Sequence, residues 1–132
     1  MRRLLALAAL AASTASGAAA DDTALLRRGE EVYGRCLGCH AIEQNRTGPA
    51  HCGLFGRKAG SAPGYAHYSP AMRASGIVWD DSSLARFLAD PMTAVPGTTM
   101  TYLGVTDAKD RAALLAWLKQ STRPGTACKP PG

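Results

Sequence analysis

The chain has 132 residues, 46% of them hydrophobic and 19% charged, and carries a formal net charge of +5. That length and composition suit a single small domain with one core. The positive excess is mild and gives no argument for nucleic-acid binding.

The N-terminus reads as an export signal. Arg2 and Arg3 supply the positive start, residues 4–12 an apolar stretch, and Ala18-Ala19-Ala20 a small-residue cleavage site before Asp21. The apolar run is short for a membrane span, with an uncleaved anchor as the alternative. The arginine pair fits a twin-arginine signal poorly. The expected division is a signal peptide over 1–20 and one domain over 21–132.

Helical spacing sets Leu26, Gly29, Glu30 and Tyr33 on one side of a first helix over residues 23–35. Glycine inside a helix costs about 1 kcal/mol against alanine. A close crossing with another helix would justify Gly29.

Next comes Cys36-Leu37-Gly38-Cys39-His40. The pattern C-x-x-C-H is the spacing of covalent c-type haem attachment. Two thiols so placed can add to the two vinyl groups on one haem edge. The following imidazole can then reach the iron. Zinc sites and thioredoxin-like pairs also use C-x-x-C. A zinc ribbon needs a second close pair, whereas Cys52 and Cys128 lie far apart. A thioredoxin-like protein needs a βαβ pattern, and no strand-rich run precedes Cys36.

Residues 41–68 read as a loop. Ser69-Pro70 then opens a short helix that ends before Gly76, as cap and first-turn proline. Asp80 caps a middle helix over residues 81–89, with Leu84, Phe87 and Leu88 inward and Pro91 as its stop. Residues 91–105 read as a second loop. A last helix over residues 107–120 is capped by Thr106 or Asp107 and carries Leu114, Trp117 and Leu118 as its apolar stripe. Gly29 and the bulky Trp117 suggest that the first and last helices cross. Loops this long are unusual in a small domain and suit the wrapping of a flat cofactor.

Several runs match a known family in order and spacing. They are Thr47-Gly48-Pro49, Gly53-Leu54-Phe55-Gly56-Arg57-Lys58-Ala59-Gly60, Ala62-Pro63-Gly64-Tyr65, Ser75-Gly76-Ile77-Val78-Trp79 and Val95-Pro96-Gly97-Thr98-Thr99-Met100. With the haem motif they resemble class I cytochrome c, nearest the branch of mitochondrial and soluble bacterial carriers. The resemblance covers Gly29 to Leu118. It implies an all-α fold in which N- and C-terminal helices cross and long loops wrap one covalent haem c. It also implies Met100 as the sixth iron ligand opposite His40. A soft thioether there favours ferrous iron and raises the potential. By the same resemblance the Pro49 carbonyl orients His40, and Arg57, Trp79, Tyr68 and Thr98 serve the haem propionates. Met72 and Met92 are expected to pack.

The chain departs from the family at several points. Phe87 stands where the family often has tyrosine, which predicts a drier pocket and a methionine held by packing and loop geometry. His67 is an inserted residue, expected in an exposed loop. His51 replaces an apolar residue beside the haem, as a satisfied, partly buried histidine or a local hydrogen-bond partner. Cys52 and Cys128 are unclaimed cysteines in an exported chain and are expected to pair, two free thiols being the alternative. The lysine ring of the mitochondrial carriers is largely missing around Met100, where Met92, Thr93, Thr99, Thr101 and Tyr102 stand instead.

The function so implied is electron transfer, without enzymatic turnover, by a bacterial periplasmic monomer. The haem is expected to be His/Met-ligated. Expected partners are redox proteins: a dehydrogenase, a respiratory complex or a terminal oxidase. Neither nucleic acid nor stable membrane insertion is expected. The alternatives are a haem sensor or peroxidase-like protein with a labile Met100, and a dedicated acceptor for one dehydrogenase.

Overall fold

The computed structural model describes residues 15–125 and Cys128. Most of the expected signal segment therefore lies outside the described residues. In chain order the elements are α1 (Ala15–Tyr33), a 3₁₀ turn (Gly34–Cys36), α2 (Pro70–Ala74), α3 (Asp81–Ala89), α4 (Pro91–Ala94) and α5 (Ala108–Ser121). No β-strand occurs among the described residues. None of their helices is long and apolar enough to cross a membrane.

Helix α1 starts earlier than its amphipathic pattern requires. Ala18, Ala19 and Ala20 are the strongest helix formers, and they carry the helix upstream through the expected cleavage point. Residues 17–25 are all exposed, so this extension rests on propensity and not on packing. The buried face is Gly29, Val32 and Tyr33. Glu30, placed on that face by spacing, points outward, as a carboxylate without a partner must.

Gly29 marks the crossing of α1 over α5. A Cβ added there would collide with the Ala113 carbonyl oxygen and with Trp117 Cβ. At the rim, Asp110 pairs with Arg28 at 2.7 Å and with Arg35 at 3.0 Å. These exposed pairs add little stability, typically about 0–1 kcal/mol. The crossing is held mainly by Val32 and Tyr33 against Leu114 and Leu118, whose exposures are 0% and 3%.

The remaining helices begin on side-chain caps. Ser69 accepts from Met72 N, Asp80 from Ser83 N and Asp107 from Asp110 N. Ser83 returns a bond to Asp80 N–H, closing a capping box. Residues 91–105 are not loop throughout. Asp90 caps α4 and Pro91 sits at its first position, so the proline that stops α3 also starts another helical turn.

The long loop after the C-x-x-C-H motif is pinned by backbone bonds. Trp79 N donates to Arg57 O at 3.0 Å and Ala59 N to Ile77 O at 2.8 Å. An isolated antiparallel bridge between Lys58 and Val78 completes that pairing. It holds Arg57 beside Trp79. Farther on, Cys52 and Cys128 are joined in a disulfide with Cα atoms 5.4 Å apart, and Gly53 N donates to Thr122 O at 2.7 Å. The C-terminal end of α5 is thereby tied to the segment after the motif.

Two outcomes follow from this packing. Gly29→Ala gains about 1 kcal/mol of helix propensity but overpacks a contact with backbone, which costs about 1–3 kcal/mol. The clash wins because Ala113 O cannot swing away, so the urea midpoint should fall. An unchanged or higher midpoint would show that the helices separate freely. Cys52 and Cys128 should resist alkylation until reduced, and reduction should cost about 4 kcal/mol in the chain-entropy view. Two thiols that alkylate without reductant would contradict the pairing.

Candidate functional site

The C-x-x-C-H segment folds as a turn at the end of α1. Cys39 N and His40 N both donate to Cys36 O, at 3.1 and 2.9 Å. Arg46 reaches over the turn and donates to Leu37 O at 2.6 Å. Cys36 is half-buried, Cys39 is exposed, and both thiols are free. Burial pushes the Cys36 thiol pKa up, with Cys39 adding and Arg35 opposing.

His40 is 8% exposed, and its Nδ1 lies 2.9 Å from Pro49 O. A carbonyl can only accept, so Nδ1 carries the proton and Nε2 keeps its lone pair. Burial lowers the pKa of the ring, and the Pro49 bond offsets part of that. The turn that brings Pro49 round requires Gly48. A Cβ there would run into the His40 ring, with Cε1 nearest. Gly48 N also donates to Cys39 O at 2.7 Å.

A cavity of about 470 Å³ opens beside this imidazole. That volume suits a small-molecule or cofactor site. All the residues that the resemblance assigned to the cofactor line it: Cys36, Cys39, His40, Pro49, Arg57, Tyr68, Trp79, Thr98 and Met100. They come from the end of α1, both long loops and the segment before α3, so only the folded chain assembles them.

Arg57 is clamped by the backbone. Nη1 donates to Cys52 O at 2.8 Å and Nη2 to Ala50 O at 3.0 Å. Its Nε is buried and has no partner. An orphaned guanidinium donor on the wall of a cavity calls for an anion. Tyr68 is committed differently from its neighbours. Its hydroxyl accepts from Ala62 N at 3.1 Å, which leaves its own proton to donate. Thr98 Oγ1 accepts from Met100 N at 3.2 Å and Thr98 N donates to Val95 O at 3.0 Å, so the threonine shapes the methionine loop itself.

Phe87 is 5% exposed and packs against Trp79 with ring centroids 5.1 Å apart. Met100 is half-buried and packs on the same core. Met72 is buried in the core, whereas Met92 is 42% exposed and does not pack as expected. The reason is position: Met92 lies in the single turn of α4, whose buried residue is Pro91. His67 is exposed, as expected of the insertion.

His51 makes contacts that no local pattern announces. Its ring stacks on the His40 ring with centroids 4.4 Å apart and planes 23° apart. Its Nδ1 lies 3.0 Å from the Tyr33 hydroxyl oxygen. Burial holds its pKa well below the usual range, and His40 and Arg57 push the same way. The ring is therefore neutral near pH 7. The weak sequence signal for this contact was a polar ring at an apolar position of the family pattern.

The donor set fits a haem. Two free thiols stand next to an imidazole with an unprotonated nitrogen, a thioether lines the same cavity, and a buried guanidinium nitrogen awaits an anion such as a propionate.

No family model matches the chain. Known proteins resemble it along most of its length. Cytochrome c2 of Blastochloris viridis is 40% identical over 96% of this chain and 98% of its own. Cytochrome c of Gibberella zeae is 42% identical over 74% of this chain and 95% of its own. Among solved structures, cytochrome cH from Methylobacterium extorquens superposes with a TM-score of 0.69 at 41% identity, covering 72% of this chain and 97% of its own.

Proposed function

The chain belongs to the class I c-type cytochromes, electron-transfer proteins carrying one covalent haem c, and we propose that it works as a periplasmic carrier ligating iron through His40 and Met100. The observation that carries this reading is the Nδ1 bond of His40 to Pro49 O. It frees Nε2 as a ligand in a cavity that Met100 also lines.

When bound, a haem would supply reversible one-electron chemistry. The protein's residues do the rest. Cys36 and Cys39, both free thiols at the end of α1, would hold the group there, beside the helix crossing. Pro49 fixes the tautomer of His40, and a fixed ligand ring keeps reorganisation small. Arg57 Nε offers a buried donor to one propionate, and Trp79, Tyr68 and Thr98 stand on the same wall. Phe87 and Trp79 line the cavity as an aromatic pair and would exclude water from a bound haem. A dry wall favours the less charged ferrous state.

The working location follows from Arg2, Arg3 and the apolar run after them, which suit export of a chain whose haem is added outside the cytoplasm. The partners are redox proteins of the dehydrogenase, respiratory-complex or terminal-oxidase kind. The surface near Met100 offers Met92, Thr99, Thr101 and Leu103, the last 78% exposed. Arg35 is already paired with Asp110, and Arg46 is spent on backbone carbonyls. Docking therefore relies on apolar and hydroxyl contacts more than on charge, by a monomer that diffuses between partners.

Two measurements test the reading. The ferric protein at neutral pH should show the charge-transfer absorption of iron–methionine ligation, and Met100→Ala should abolish it. Its absence in the unsubstituted protein would favour an open iron site and a sensor or peroxidase-like role. Electron-transfer rates with an isolated partner should change little as ionic strength rises from low to physiological values. A steep loss with salt would point to a charged docking ring instead.

A further inference from the structure

Electron transfer as described leaves His51 without a role, yet its ring is among the most constrained near the site. Its face lies on the His40 imidazole, centroids 4.4 Å apart. Its Nδ1 shares a hydrogen bond of 3.0 Å with the Tyr33 hydroxyl. Tyr33 is 4% exposed, and its ring centroid lies 4.5 Å from that of Trp117. Trp117 belongs to α5 and Tyr33 to α1. A continuous path of side chains thus joins the helix crossing to the candidate iron ligand.

The backbone under His51 is equally fixed. His51 N donates to Ala41 O and Ile42 O at 3.2 and 3.1 Å, and Cys52 N to Ile42 O at 2.8 Å. Cys52 is then locked by its disulfide to Cys128. The bond from His40 Nδ1 to Pro49 O holds one edge of that ring but permits rocking about its own axis. A plane stacked on the ring removes this freedom. An apolar side chain of similar size would fill the space, but it would not be fixed in angle by a hydrogen bond.

We infer that His51, held in place by the Tyr33 hydroxyl, is a positioning residue for the His40 ligand that sets its ring orientation and stabilises the ferric state. The inference rests on His40 binding the iron. Hydrogen-bonded neighbours of a ligand histidine fix its orientation and tune its metal. A polar ring beside the ligand favours the more positively charged oxidation state, so removing it should shift the balance toward ferrous.

The test uses the haem-loaded protein with Tyr33→Phe, His51→Leu and both together. Tyr33→Phe removes one oxygen and keeps the ring against Trp117. Each single variant should raise the ferrous-to-ferric ratio at a fixed applied potential by about threefold, near the lower end of the net worth of a hydrogen bond. Each should also move the paramagnetically shifted proton signals of the His40 ring. The double variant should go no further than His51→Leu, because both substitutions remove the same contact. A Tyr33→Phe protein with unmoved ratio and His40 signals would overturn the inference, even if it unfolded more easily. Additive effects would overturn it too. Should His51→Leu fail to mature, Tyr33→Phe decides alone. The unsubstituted protein separates the two readings. If it lacks shifted His40 signals, ligation and this inference fall together, whereas their presence with an inert Tyr33→Phe defeats only the inference.

Discussion

The hydrogen bond between His40 Nδ1 and Pro49 O is the constraint on which the site depends. It decides a chemical question, namely which imidazole nitrogen keeps its lone pair. It also decides a topological one, because the chain must turn back within nine residues to bring a carbonyl to the ring it has just left. That turn can only be made over a bare backbone, and Gly48 supplies it. Proline can serve as the acceptor because it keeps its carbonyl although it lacks an N–H. Asn45 secures the next residue, its Oδ1 accepting from Ala50 N at 2.8 Å.

From that turn onward, one short segment does several jobs at once. Pro49 holds His40, Ala50 and Cys52 offer the carbonyls that clamp Arg57, His51 stacks on His40, and Cys52 closes the disulfide. Imidazole, guanidinium and the C-terminal tail therefore share one stiff support. The two clamping bonds satisfy Arg57 only in part, which directs its remaining donor to the cavity. Moving this segment would disturb His40, Arg57 and the disulfide together. That explains why backbone bonds to Ala41, Ile42 and Thr122 brace it from both sides.

Much of this was legible in the sequence where the cause is local. Ser69, Asp80 and Asp107 are side chains that cap the backbone a few residues on, and their helices begin where that chemistry puts them. Gly29 opposite Trp117 predicted a crossing because only contact between helices repays a glycine inside one. Asp90-Pro91 carries two meanings, stop and start, and reading only the first hid α4. Glu30 was set on the inner face by spacing alone, although the cost of burying a carboxylate excludes it. The stacking of His51 on His40 and its bond to Tyr33 join residues from three stretches of chain, so no periodicity encodes them. Around the cavity, the resemblance selected residues that the fold does bring together, but it could not supply their present partners. Tyr68 bonding Ala62 and Thr98 bonding Met100 are facts of the folded chain.

The two sides of the cavity differ in polarity. One wall of the cavity that Met100 lines is the aromatic pair of Phe87 and Trp79. The methionine loop then depends on its own turn, through Thr98. Next to His40 stand a polar ring, His51, and behind it the Tyr33 hydroxyl. One side is drier while the other is more polar. On the proposed His40 and Met100 ligation, a dry wall penalises the ferric charge and a polar one compensates it. The two effects are thus opposite in sign, and the balance of oxidation states reflects their difference. The polar contact lies on the His40 side. There a hydrogen-bonded ring braces the His40 imidazole, the proposed iron ligand.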